Sequence, residues 1–470
     1  MRDLIFSLVV LGMVPVCFRR PFMGLVVFSW LAYMRPQDLT WGFARFQRWS
    51  YLIAVVTFIG FLRSRPKQWF LPNWRNYLLI AMAVLVGISV AVSENPDKAQ
   101  FSKYMEFAKI VVITLFTTAV VQRREQLRML IWIIALSLGF YGIKSGVWGI
   151  LTGMSTRIIR GPGGMMEDNN ALALALAMIL PLLIVLGQTE RRALVRKAFL
   201  FAAPLTMVTI VATHSRGGFL SMVGGLGVLV WYSRNRVAVF SAAAVLGVVA
   251  VVLAPDSYKE RISTIAEYKT EGSAAGRIYA WGIGFRMAVD NPALGVGLDK
   301  FRQHYIEYDP NPTAAKLSGH GIIEAHSSYI EMMAESGLVA FGMYVTLLLS
   351  SFVLLWKVRW RAKKHFHTSW ILSYTTMLEA GMVAFLIGGT FLNRAHFDLI
   401  YHYMAIILVF SQMAFREMDD PQVHPLRDGS RGTLVPVRHR LLGQRGPGFG
   451  RGFRTAPTGL APRATTERLR

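Results

Sequence analysis

An arginine in a very short polar hairpin, an arginine on an amphipathic segment and a histidine ahead of a long apolar run have the types needed to hold an anion and accept a proton. Arg216 lies in "ATHSRGGFL" between two apolar runs, followed by Gly217-Gly218, which admit a ligand or a neighbouring backbone at close range. Two readings of Arg216 stand level: an anion-binding guanidinium, or a side chain snorkelling to lipid headgroups. His214 beside it is a supporting candidate. Arg277 stands in "GRIYAWGIGFRMAVDNPALGVGL", where Ile278, Trp281, Phe285 and Ala288 recur at helical spacing until Asn291-Pro292 ends the pattern. That places Arg277 in a first helical turn, where a base opposes the helix dipole and an anionic ligand would reconcile it. His326 opens "HSSYIEMMAESGLVAF", and Ser328-x-x-Glu331 fits a capping box for a helix continuing through 356. The positive end of that helix would keep the ring neutral and ready to accept a proton, although on pattern alone a structural histidine is the more ordinary reading.

Other groups carry weaker signals. Arg160 in "IIRGPGGMMEDNNALALAL" is a lesser anion-binding candidate, and Asp168, Asn169 and Asn170 read as helix caps. Glu379 sits inside the apolar run "TTMLEAGMVAF"; a carboxylate in lipid is costly and so functional by default, with no role legible around it. His396, Asp398 and His402 lack a fixed metal-ligand spacing and read as hydrogen-bonded structural groups near the site. Glu307-x-Asp309 reads equally as an acid pair and as a turn. No metal and no cofactor are expected. His214, Glu379, His396 and Asp398 are carried as supporting residues.

The elements that must position these groups are membrane helices. Of 470 residues 53% are hydrophobic and only 17% charged, and apolar segments of roughly 15–22 residues recur, enough to cross about 30 Å of hydrocarbon. The segments 3–18, 20–34, 50–62, 76–92, 104–121, 127–150, 169–187, 197–213, 217–232, 237–254, 336–356, 371–392 and 397–415 predict an all-α polytopic membrane protein of about thirteen spans. The N-terminus looks like a signal peptide, but Arg19-Arg20 follow its apolar core without a small-residue cleavage site, so it reads as a retained first span. The single cysteine, Cys17, excludes an intrachain disulfide. Lys and Arg concentrate in alternate short connections such as "QTERRALVRK" and "WKVRWRAKKHFHT", which orients the N-terminus outside and the C-terminus in the cytoplasm. The net charge of +24 is therefore topological and does not point to nucleic acid. On this topology residues 255–335 form one large external loop with short helices, on the same face as 151–168, 213–217 and 393–398. The Arg/Gly/Pro-rich stretch 416–470 reads as a disordered basic tail near anionic lipid.

The motifs "HSRGGFLSMVGGL", "GRIYAWGIGFRMAVDNPALGVGLDKF" and "AHSSYIEMMAESGLVAFGMY", in this order around one large external loop, resemble the O-antigen ligase/polymerase superfamily. The first 44 residues, "MRDLIFSLVVLGMVPVCFRRPFMGLVVFSWLAYMRPQDLTWGFA", are similar to the O-glycosylation ligases associated with exosortase A systems. The resemblance implies a GT-C-like membrane glycosyltransferase of the bacterial inner membrane, divided into 1–120 (subgroup segment), 121–415 (ligase-like domain) and the tail. It further implies metal-independent transfer of a glycan from undecaprenyl pyrophosphate to an acceptor hydroxyl of a glycan, lipid or protein on the periplasmic face. By position, Arg216 and Arg277, with Arg160 as a weaker third, would hold the diphosphate, and His326 would assist the acceptor. Two other readings compete: a polymerase of exopolysaccharide repeat units, and a flippase for which Glu379 would be a coupling acid. No internal repeat or paired broken spans support the flippase.

Overall fold

The computed structural model describes residues 1–65, 68–93, 97–153, 158, 160–164, 166–233, 236, 272–311, 322–365 and 370–420. The helices are α1 (Arg2–Arg19), α2 (Pro21–Tyr33), α3 (Trp49–Arg63), α4 (Trp74–Val92), α5 (Lys98–Val120), α6 (Arg124–Leu151), α7 (Asn169–Thr189), α8 (Ala193–Ala212), α9 (Arg216–Trp231), α10 (Gly272–Asp290), α11 (Phe301–His304), α12 (Ser328–His365), α13 (Trp370–Gly389) and α14 (Asp398–Asp419). Seven of them, α4, α6, α7, α8, α12, α13 and α14, are long and apolar enough to cross a membrane, and α2, α3 and α9 are shorter apolar helices. The protein is an all-α polytopic membrane protein. The expected span 237–254 and residues 421–470 of the expected tail lie outside the described residues.

The one β element among the described residues is a hairpin of β1 (Arg160–Gly163) and β2 (Met166–Asp168), antiparallel, with Arg160 opposite Asp168. It occupies the stretch expected as a glycine-rich turn. Its strands approach so closely that a Cβ on Gly161 would fall on the Met166 carbonyl oxygen. The expected cap follows: Asp168 Oδ1 accepts from the N–H groups of Asn170 (2.9 Å) and Ala171 (3.0 Å) at the start of α7.

The sequence "NNALALALAMILPLLIVL" makes α7 apolar on every side, and α7 is the buried axis of the bundle. Small residues let its partners close in. A Cβ on Gly218 would stand 2.3 Å from that of Ala173, and one on Gly388 would meet Ser221 Oγ and Leu174, so α9 and α13 pack almost backbone to backbone against α7. At the other side of the chain, α1, α2 and α3 bury Phe6, Val10, Cys17, Leu31, Trp49 and Ile53 in a small core of their own.

Two expectations about local structure need correction. The chain is already helical at Gly272, so Arg277 lies beyond the first turn of α10; the supposed clash with the dipole does not arise. Its buried face carries Ala280, Ile283 and Met287, while Ile278 and Phe285 are exposed, because the core it meets is the 301–305 and 325–334 region. Helix α12, expected to run unbroken from Ser328, is interrupted at Gly337 (φ 84°, ψ 170°). The break receives residues 292–301: Leu338 N–H donates to Pro292 O (2.8 Å), Val296 N–H to Ala334 O (2.9 Å) and Gly297 N–H to Glu335 O (3.1 Å). The buried Glu335 carboxylate then accepts from Asp299 N–H (2.9 Å) and Phe301 N–H (3.3 Å), capping α11.

Candidate active site

One end of the bundle collects the hairpin, the α8–α9 turn, α10, the residues before α12 and the turn between α13 and α14. The α8–α9 turn occupies only Thr213–Ser215, and His214 makes the reversal in the left-handed region (φ 55°). Ser215 Oγ caps α9 by accepting from Gly218 N–H (3.1 Å), which leaves Arg216 at the exposed rim as the first helical residue. Gly217 and Gly218 are buried against Phe391–Leu392 and Ala173, so of the two uses the sequence allowed for them it is neighbouring helices that approach.

Helix α10 packs against the irregular segment before α12. Trp281 Nε1 donates to Ala325 O (2.6 Å), and a Cβ on Gly276 would stand 2.9 Å from Ile323 Cδ1. Arg277, one turn before Trp281, is thereby brought near enough for its charge to act on the His326 ring. The electrostatics register that gathering. Arg277 is held below the usual arginine range by burial and then by the charge of Arg216. His326 is held below the usual histidine range by burial and then by Arg277, with Glu324 opposing. Each cation thus acts on the next group in line. His326 is half-buried, with its backbone at φ 44°. A non-glycine residue there costs on the order of 1–3 kcal/mol unless its surroundings enforce it.

What enforces it is a set of bonds the capping-box reading did not foresee. Ser328 Oγ donates to Leu392 O (2.7 Å) and accepts from Arg394 N–H (2.9 Å), while Glu331 Oε2 accepts from Ala395 N–H (3.2 Å). Both side chains reach across to the α13–α14 turn and do not close a cap within α12. In that turn Asn393 Nδ2 donates to Glu324 Oε2 (2.8 Å), two residues before His326. Arg394 forms an ion pair with Asp168 Oδ2 and is pushed below the usual arginine range by burial. Arg394, Asn393 and Glu324 escaped the sequence reading. For Arg394 the signal was available, since an arginine in a short connection between spans was the argument applied to Arg216.

The remaining candidates separate. Arg160 is exposed at the open end of the hairpin, opposite Asp168. His396 has its Nε2 sealed from solvent and packs edge-on against Phe107 (4.6 Å, 74°); burial, then Lys103, pushes its ring down to about 4. Asp398 is the first residue of α14. Glu379 is not at this end at all. Its carboxylate takes both Nε (3.0 Å) and Nη2 (2.5 Å) of Arg359, and it lines a cavity with Trp231 and Tyr232 at the far end of α9. Arg216 is the first residue of that helix and Trp231 its last, so Glu379 faces the opposite end of α9. His402 is structural as expected, between Tyr33 Oη (3.0 Å) and Thr117 Oγ1 (3.2 Å). Asp309 accepts from Tyr279 Oη and from Asn311 N–H (2.8 Å), as a turn residue does. Among the described residues no group of three His, Cys, Asp or Glu side chains could hold a metal ion.

Residues 198–345, from α8 into α12, match the family model of the O-antigen ligase, and they include Arg216, Arg277 and His326. The chain carries an O-antigen ligase domain. It is a ligase- or polymerase-type membrane enzyme of glycan biosynthesis. Residues 1–191 match a family of unknown function, so the hairpin and α7 belong to that match while the three gathered side chains belong to the ligase domain. No curated protein matches the chain.

Proposed function

We propose that this ligase-domain enzyme transfers a glycan from undecaprenyl pyrophosphate to an acceptor hydroxyl on the periplasmic face of the bacterial inner membrane. The observation that carries the reading is that the charge of Arg216, at the exposed rim, acts on the half-buried Arg277, and Arg277 on the half-buried His326, at the end of the bundle where Trp281 Nε1 is bonded to Ala325 O. The two guanidiniums neutralise the diphosphate, and their charge-assisted bonds strengthen as the sugar–oxygen bond breaks and negative charge gathers on the leaving group. The acceptor oxygen attacks the anomeric carbon from the opposite side and inverts it. Its proton passes to the His326 imidazole, which burial and Arg277 keep neutral, and from there to solvent. Undecaprenyl pyrophosphate leaves with the electron pair of the broken bond.

The alternation of Lys/Arg-rich connections supports a periplasmic N-terminus and a cytoplasmic C-terminus. A glycan, a lipid or a protein could supply the hydroxyl, and a polymerase would use the same donor chemistry with a growing saccharide as acceptor. Purified protein given undecaprenyl-pyrophosphoryl glycan and acceptor should form the linked product, in the presence of EDTA as in its absence. His326→Ala should slow transfer about 10²- to 10⁴-fold, the usual contribution of a positioned base, with donor binding retained. Transfer at the wild-type rate by that variant would remove His326 from the mechanism. Arg277→Ala should weaken donor use, and undiminished donor affinity would remove the diphosphate clamp.

A further inference from the structure

Within the N-terminal segment, Arg35 lies against the hairpin tip. Between α2 and α3 the chain turns through Arg35, whose backbone is in the left-handed region (φ 47°). The turn is fastened on both sides: Tyr33 Oη is bonded to His402 Nδ1 (3.0 Å), and Tyr141 Oη donates to Met34 O (2.6 Å). Arg35 Nε donates to Asp38 Oδ2 (2.6 Å), which fixes the plane of the guanidinium. The other face of the guanidinium lies on the tip of the hairpin. A Cβ on Gly164 would stand 2.7 Å from Arg35 Nη1, and one on Gly163 would stand 3.3 Å from Nε. Both glycines have positive φ (Gly163 95°, Gly164 59°), so the tip needs glycine for its turn and for the space the guanidinium fills.

The other end of the hairpin is Asp168. One carboxylate oxygen caps α7, and the other holds Arg394. Arg394 N–H is bonded to Ser328 Oγ, and its neighbour Asn393 holds Glu324; these two contacts flank His326. A series of contacts therefore links Arg35 to the hairpin tip at Gly163 and Gly164, the paired strands to Asp168, and Asp168 through Arg394 to the residues on either side of His326.

We infer that Arg35 is a positioning residue of the transfer site, acting through the hairpin 160–168 and the Asp168–Arg394 ion pair. This is the contribution that the N-terminal segment, matched only to a family of unknown function, makes to the chemistry. The inference rests on the transfer reading above. A displacement of about 1 Å in a reacting group lowers turnover by up to about 100-fold, and loss of the clamp should act in that range.

The test is a double-mutant cycle in the full-length protein in detergent, with transfer rate, donor affinity and hydrogen exchange as readouts. Arg35→Ala should lower turnover about 10- to 100-fold and leave the affinity for an isoprenoid pyrophosphate unchanged, since Arg216 and Arg277 are untouched. Asp168→Asn should cost a similar factor, and the double variant no more than the worse single one. Gly164→Ala, which keeps Arg35 but occupies its space, should reproduce the Arg35→Ala effect if that variant folds poorly. Backbone exchange should rise at 160–168 and 392–396 in Arg35→Ala and stay unchanged at 213–216. Wild-type turnover in Arg35→Ala, multiplying losses in the double variant, or unchanged exchange at 392–396 would each overturn the inference. A wild-type protein that forms no linked product would instead sink the transfer reading, and the exchange result would still show whether Arg35 holds the turn.

Discussion

His326 illustrates how much a single residue owes to charges that its own stretch of chain does not contain. Burial and Arg277 both disfavour the imidazolium, and Glu324 favours it. A base works in its deprotonated form, so turnover should fall as pH drops through the His326 pKa, and that acid limb should lie below the range of an ordinary histidine. Arg277→Gln removes a destabilising charge and should move the limb to higher pH, measured as kcat at saturating donor. Glu324→Gln removes the opposing carboxylate and should move it to lower pH. If both variants kept the wild-type profile, the group titrating in the limb would not be His326. Arg394 is the residue-scale lesson in the other direction. Its chemistry stood in the sequence, but what it does depends on Asp168, more than two hundred residues away.

At the scale of elements, the decisive feature is the break in α12. Ser328 and Glu331 have the spacing of a capping box, yet both side chains bond to the α13–α14 turn, because the first turn of α12 is buried against that turn. The break at Gly337 lets residues 292–301 lie against the helix and accept its displaced hydrogen-bonding groups. Gly337→Ala should therefore be destabilising. A Cβ there would stand 2.7 Å from the Ala293 carbonyl carbon and would also force an L-residue to φ 84°. The backbone strain alone costs about 1–3 kcal/mol. A lowered melting temperature in detergent checks this, and an unchanged one would mean that the break can be straightened at no cost. In the sequence, one glycine in an apolar helix signals a kink only weakly, since glycine also serves close helix packing, as Gly218 and Gly388 do.

Across the whole molecule, the two ends of the bundle do different work. Arg359 and Glu379 are 6% and 4% exposed and bonded to each other at the end away from Arg216, with Arg359 stacked 3.6 Å over the Tyr232 ring. Glu379→Ala should leave a buried arginine without its acid and cost about 3–5 kcal/mol of stability, while turnover per folded molecule stays unchanged. Replacing both with leucine should recover most of the loss. A Glu379→Ala protein that melts normally and fails to transfer would restore Glu379 to a functional role.

What the sequence determined by itself was the architecture and which ionisable groups stand out against it. Membrane helices are written locally, in runs of apolar residues whose length matches the hydrocarbon, and twelve of the thirteen expected spans coincide with described helices. Arg216, Arg277 and His326 were legible because a charged or titratable group beside an apolar run is rare enough to stand out. Only the tertiary structure decided which of the ionisable groups meet. It set Glu324 beside His326, bonded Arg394 to Ser328 and Asp168, sent Glu379 to Arg359 and turned Ser328 from cap to clasp. The physical reason is that ion pairs and hydrogen bonds form between side chains within a few ångströms, and in a bundle of long helices such neighbours are set by helix packing and not by position along the chain.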